Sequence, residues 1–191
     1  LEADECGAMN LFLAAAPHAQ VAHGRLGCQV NIDDLADRPP RPLDNGDAID
    51  IGAHRLRYLA TPHVPHAWDA GVYYDETSGT LLCGDLFTEV GQSSALVNSE
   101  LVGPAMHAED MFAATCLTPQ TGATMRRLAE LEPTTLALMH GPSYAGDGAI
   151  QLRVTDASTG RGVPQATVTW SGGGYRVLAV ATGSGDVLLE G

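Results

Sequence analysis

The sequence predicts an α+β domain over residues 1–148, followed by part of an all-β unit over residues 149–191. Three observations predict it. Hydrophobic residues make up 45% and charged residues 17%, the balance of a chain that buries a core rather than one that stays disordered. Within residues 1–148, strand-like runs alternate with two stretches of helical spacing. Beyond Gly146–Gly148 only short strand-like runs remain, separated by Gly- and Ser-rich turns.

In order, CGAMNLFLAAAP reads as one short helix over residues 6–16. Met9, Phe12 and Leu13 share a face, Asp4 serves as N-cap and Pro17 as stop. QVAHG is a strand, and residues 31–47, rich in Pro and Asp, form a loop. AIDIGAHRLRYLATP alternates apolar and polar residues around Gly52, as a strand pair does. GVYYDETSGTLLCGD is the clearest hairpin, with Tyr73 and Tyr74 on opposite faces so that one enters the core. Residues 88–117 read as an irregular loop. Thr118 and Pro119 open a helix that spaces Met125, Leu128 and Leu131 on one side and ends at Pro133; TTLALM is then a buried strand delivering His140. In the tail, QLRVTD, QATVTW, YRVLAVAT and VLLE are strands. Four are too few to bury both faces of a sandwich.

The net charge of −13 argues against nucleic acid or an anionic membrane as partner, because both demand a basic footprint. All of that excess lies in residues 1–148, since Asp156, Asp186 and Glu190 balance Arg153, Arg161 and Arg176. No run is long and apolar enough to span a bilayer and no leader is visible. Cys6, Cys28, Cys83 and Cys116 are scattered, which suits free thiols in a reducing, cytoplasmic setting.

Four features can carry chemistry: Glu2 and Asp4 before a helix, the run TPHVPHAWD with His63 and His66, Asp85 after an apolar strand, and His140 after another. Each has an ordinary structural explanation alone: a helix cap, a loop histidine, a turn aspartate. Together they are hard oxygen and imidazole donors set at strand ends and a helix start, suited to zinc, manganese or iron. His18, His23, His54 and His107 have no partner motif and are assigned to the surface. Trp68 is assigned to packing, and Asp47 and Asp50 to a turn.

TPHVPHAWDAGVYYDETSGTLLCGDLF followed by LALMHGP resembles the metallo-β-lactamase superfold over roughly residues 1–145. LEADECG is similar to its first ligand motif without the leading His, and the Glu in second place resembles the flavodiiron and oxygen-binding di-iron branch. The resemblance implies an αββα sandwich, N-terminally truncated, of which this chain holds the C-terminal two thirds. It implies Glu2 on a first metal, Asp4 on a second, Asp85 bridging both and His140 on the second. His66 preserves the distance to Asp85 and is the preferred imidazole of the first metal; His63 fits the wording of the family turn and stays open as the alternative. Glu5 stands where the family usually has a His, leaving a carboxylate, a water or an open position on the second metal. The tail resembles a carboxypeptidase-regulatory-like β-sandwich, so the flavodoxin domain that follows this module in flavodiiron reductases is not expected, nor is an FMN site.

The function these resemblances imply is binding or reduction of O2 or NO at a di-iron centre, with Asp4 and Asp85 as the catalytic carboxylates. Two metal ions are expected as cofactors, iron first, with zinc or manganese as alternatives. A small-molecule or diatomic ligand and an external electron donor are the implied partners, and a homodimer stays open. The competing readings are a dimetal zinc hydrolase using a metal-bound hydroxide, with Asp4 or Glu5 orienting it, and a non-catalytic oxygen-sensing module.

Overall fold

The computed structural model describes residues 1–98, 101–146, 167–172, 175–181 and 187–190. The chain opens with helix α1 (Ala3–Cys6) and helix α2 (Met9–Ala15). The single helix expected over residues 6–16 is therefore two. Asp4 lies in the first turn of α1, and the cap position belongs to Glu2. The chain breaks at Gly7 and Ala8, where glycine weakens helix continuity.

Strand β1 (Ala22–Gly24) leads into α3 (Arg25–Gly27), a wide helical turn at Cys28–Ile32 and α4 (Asp33–Leu35). Strand β2 (Arg41–Leu43) then pairs in parallel with β1. The Pro- and Asp-rich loop expected at residues 31–47 thus contains a helical turn and a strand. Its buried Ile32 and Leu43 supply the apolar contacts that order it.

Strands β3 (Ala48–Asp50), β4 (Arg55–Ala60), β5 (Gly71–Asp75) and β6 (Thr80–Gly84) form an antiparallel meander. This is the strand pair and hairpin that the alternation predicts. After short β7 (Leu96–Val97) come helix α5 (Val102–Phe112), helix α6 (Thr121–Ala129), β8 (Thr135–Leu138) and β9 (Ser143–Ala145). Strands β3 to β9 make one seven-stranded sheet in the order β3-β4-β5-β6-β8-β9-β7.

Helix α5 occupies residues 102–112 of the stretch 88–117 expected as an irregular loop. Pro104 falls in its first turn, where the missing N–H has no intrahelical partner to lose. Ala113 ends it in the left-handed conformation, at φ 48°. Helix α6 starts at Thr121 rather than at Pro119, because the Thr118 hydroxyl accepts the Gln120 amide in a preceding turn.

Helices α5 and α6 share one face of the sheet. Met125 and Leu128 of α6 and Leu101, at the start of α5, join Leu59, Val72, Leu81, Cys83 and Leu136 in one buried cluster. Truncating Leu128 to Ala would cost about 2–5 kcal/mol. The opposite face carries Tyr58, buried beneath the β1–β2 segment, and Tyr73, whose hydroxyl donates to the Ala22 carbonyl at 2.9 Å. Tyr74, on the helical face, donates to the Leu131 carbonyl at 3.2 Å, so the two neighbouring tyrosines brace opposite faces.

In the tail, β10 (Thr167–Gly172), β11 (Tyr175–Ala181) and β12 (Val187–Glu190) form a three-stranded antiparallel sheet. The expected QLRVTD strand and the expected boundary at residue 148 lie outside the described residues.

Candidate metal centre

The sheet itself brings the donor groups together. Strands β4 and β6 both run antiparallel to β5, and β8 runs parallel to β6, so β4, β6 and β8 point the same way. Their C-terminal ends meet at one edge, and the next loop from each supplies a donor: His66 after β4, Asp85 after β6 and His140 after β8. Glu2 and Asp4 reach the same edge from the start of α1.

Each loop is fixed by its backbone. In the β4–β5 connection the buried Thr61 hydroxyl donates to the Val64 carbonyl at 3.0 Å, and the Val64–Pro65 peptide is cis. The Glu89 amide donates to the His140 carbonyl at 2.9 Å, and the Met139 amide to the Gly84 carbonyl at 3.1 Å, tying the other two loops together. Gly84 and Gly141, at φ 55° and 115°, make the turns on either side of this tie. A Cβ on Gly141 would lie 2.8 Å from Glu89 Cβ.

At the centre, Asp85 faces two different groups. Its Oδ2 lies 3.4 Å from His66 Nε2, which lies 2.7 Å from Glu2 Oε1. Its Oδ1 lies 3.2 Å from His140 Nε2, which lies 3.1 Å from Asp4 Oδ2. One carboxylate thus fronts two His–carboxylate pairs, one on each oxygen. Donor atoms of Glu2, His66 and Asp85 all fall within 4.8 Å of one another, as a shared cation requires. Asp85 Oδ1 is buried with no hydrogen-bond partner among the described residues, and so is His66 Nδ1. A buried carboxylate oxygen without a donor is costly unless a cation meets it. The Glu2–His66–Asp85 group therefore fits a cation.

The structure separates the two histidines of the turn. His66 reaches the cluster. His63 is exposed at φ 65°, its amide donating to the Ala67 carbonyl at 2.7 Å, and it contributes no donor atom to the group. Of the three possibilities left open at Glu5, the geometry does not favour a carboxylate on the His140 side. The Glu5 carboxylate accepts the Glu2 amide at 3.0 Å, and it lines a small cavity of about 50 Å³ with Glu2, His66 and Asp85. It is therefore on the Glu2–His66 side, away from Asp4 and His140. Trp68, assigned to packing, is 62% exposed.

Two features were not legible in the sequence. His23, assigned to the surface, is half-buried and borders the small cavity, where burial lowers its pKa. Helix α5 walls a second cavity of about 620 Å³ that opens onto Asp4, His66, Asp85 and His140. The stripe Val102, Ala105, Met106, Glu109 and Phe112 has helical spacing and could have exposed this helix, but Gly103-Pro104 masks its start.

No sequence-family profile and no curated protein matches the chain. Solved structures do. A metal-soaked flavodiiron core from Synechocystis superposes with a TM-score of 0.58 at 22% identity, covering 76% of this chain and 38% of that one. The fold is the metallo-β-lactamase type. Rubredoxin oxygen:oxidoreductase from the anaerobe Desulfovibrio gigas shares this metallo-β-lactamase-type core at a TM-score of 0.59 and 14% identity, covering 74% of this chain and 37% of that one. The chemotaxis sensor ODP, in a form described as a peroxy diiron species, gives 0.63 at 18% identity, covering 76% of this chain and 62% of that one. The apo sensor from T. denticola gives 0.61. This chain spans less than two thirds of the length of each of these structures.

Proposed function

We propose that the chain holds a dinuclear metal centre, an iron pair, which binds or reduces O2 or NO. The carrying observation is the placement of Asp85 between two His–carboxylate pairs, with one oxygen toward each. Solved structures of the same fold, a flavodiiron core, a rubredoxin oxygen:oxidoreductase and a peroxy diiron species of a chemotaxis sensor, support the reading.

Glu2 and His66 would hold the first metal, Asp4 and His140 the second, and Asp85 both. Three carboxylates against two imidazoles make an oxygen-rich set, which favours iron or manganese over zinc. When bound, an iron pair supplies a redox-active centre for a diatomic ligand, with electrons drawn from an external donor. The residues of the chain do the rest. Asp85 fixes the spacing between the two halves of the site, and the tied loops after β6 and β8 hold Asp85 and His140 in register. Helix α5 lines the cavity beside His140 with the apolar side chains of Val102, Ala105 and Met106.

The test is anaerobic reconstitution of the full chain with ferrous iron, followed by metal analysis and absorption spectroscopy on admission of O2. The reading expects two irons per chain and a near-ultraviolet or visible band that appears with O2. Stoichiometric zinc with esterase or lactonase turnover would replace it with the hydrolase.

A further inference from the structure

We propose that the large cavity beside the metal pair takes a small organic molecule with an apolar body and a metal-chelating head. The inference goes beyond the diatomic reading and rests on it only for the head group.

Size is the first argument. A diatomic gas needs space comparable to one water molecule, roughly 30 Å³. The cavity is about 620 Å³, within the range of roughly 300–1,000 Å³ that small-molecule sites occupy.

Lining is the second. At one end stand Asp4, His66, Asp85 and His140. The floor is apolar, made by the buried side chains of Leu86 and Leu101. The wall is the stripe Val102, Ala105 and Met106 of α5, three positions that face one way at helical spacing. In a packed domain such a stripe meets core side chains, because interiors leave few voids larger than a water. Here Val102 packs against the core cluster, while Ala105 and Met106, both half-buried, line the cavity. Phe112, 57% exposed, stands at the rim.

Charge is the third. Glu2, Asp4, Asp85, Glu89 and Glu109 line the cavity, and among the described residues no Arg or Lys lines it. The Glu109 carboxylate is turned to its own helix end, accepting the Thr115 amide at 3.1 Å and the Thr115 hydroxyl at 2.9 Å. An anionic head would therefore be held by the metals alone, and the body of the ligand by apolar contact.

The experiment is calorimetric titration of the metal-loaded full chain with straight-chain hydroxamates from acetyl to octanoyl. Affinity should rise roughly fourfold per methylene, the value for burying a CH2 group. Ala105→Trp, which fills the wall, should shrink the octanoyl-to-acetyl ratio at least tenfold; the wild-type series carries the test even if that variant does not fold. Equal affinities across the series would overturn the proposal while leaving the metal centre standing. If no hydroxamate binds and no metal loads, the metal reading fails instead. Amide shifts of metal-free protein with 1-hexanol then decide: shifts along Val102–Phe112 keep the apolar site, and their absence removes it.

Discussion

The β5–β6 hairpin has a His-paired aspartate at each end, and the two ends are built differently. At the turn, the buried Asp75 carboxylate accepts the Ser78 hydroxyl at 2.6 Å and the Thr77 amide at 3.0 Å, and lies 2.6 Å from His54 Nδ1. The Ser78 hydroxyl, acting against burial and helped by the Thr77 amide and His54, holds its pKa down at about 2. At the open end, Asp85 meets two imidazoles at 3.2 and 3.4 Å, and its Oδ1 accepts no hydrogen bond among the described residues. The residue types are the same. The difference is satisfaction: the turn aspartate accepts hydrogen bonds from its own turn, while the edge aspartate keeps a buried oxygen that accepts none among the described residues. That lack is what the proposed metal centre would account for.

The comparison can be broken most sharply at Asp85. Asp85→Ala should abolish loading at both metal positions together. With iron at about a hundredfold its Kd, the roughly 2.7 kcal/mol of metal-linked stabilisation per site, about 5 kcal/mol for the two, should vanish, read as a lost shift in thermal midpoint. Next comes the turn pair. His66→Ala should weaken the first metal by more than about a hundredfold, beyond what removing a mere supporting partner costs, whereas His63→Ala should leave metal affinity unchanged by competition titration. Asp75→Asn should do the converse of Asp85→Ala, with metal stoichiometry intact and the thermal midpoint lowered. Its pH signature has a definite sign. A depressed carboxyl contributes stability in full above its unfolded pKa of about 3.9 and loses it as pH falls through about 2. Acid unfolding of the wild type should therefore steepen between about pH 4 and pH 2, and Asp75→Asn should flatten that part. The smallest effect belongs to Glu5→Gln, which removes a charge from the first turn of α1 but keeps an acceptor for the Glu2 amide; about 1 kcal/mol or less is expected from denaturant melts.

Strands were more legible than helices, for physical reasons. The β3–β6 meander shows two-residue alternation that local sequence carries, and TTLALM is apolar throughout because β8 lies inside the sheet. Helix α5 escaped because much of its apolar stripe faces a cavity rather than a core, and because Gly103 and Pro104 imitate a loop. The break between α1 and α2 was hidden by a continuous apolar run. Of the site, Glu2, Asp4, His66, Asp85 and His140 could be singled out as donors at strand ends and a helix start. The sides were implied only by the resemblance, Glu2 and His66 on one metal and Asp4 and His140 on the other. Sequence spacing does not give them, because they depend on strand direction and on the side-chain turn of Glu5 toward the Glu2 amide, both tertiary facts. The choice between His63 and His66 likewise depends on a backbone turn that only the folded loop displays.

The most direct test of the central claim is an anaerobic ferrous titration of the full 191-residue chain beside its Asp85→Ala variant. Two irons per wild-type chain and none bound with comparable affinity by the variant is the predicted result. A single iron per chain, or a variant that keeps one site at full affinity, would contradict the bridging role of Asp85.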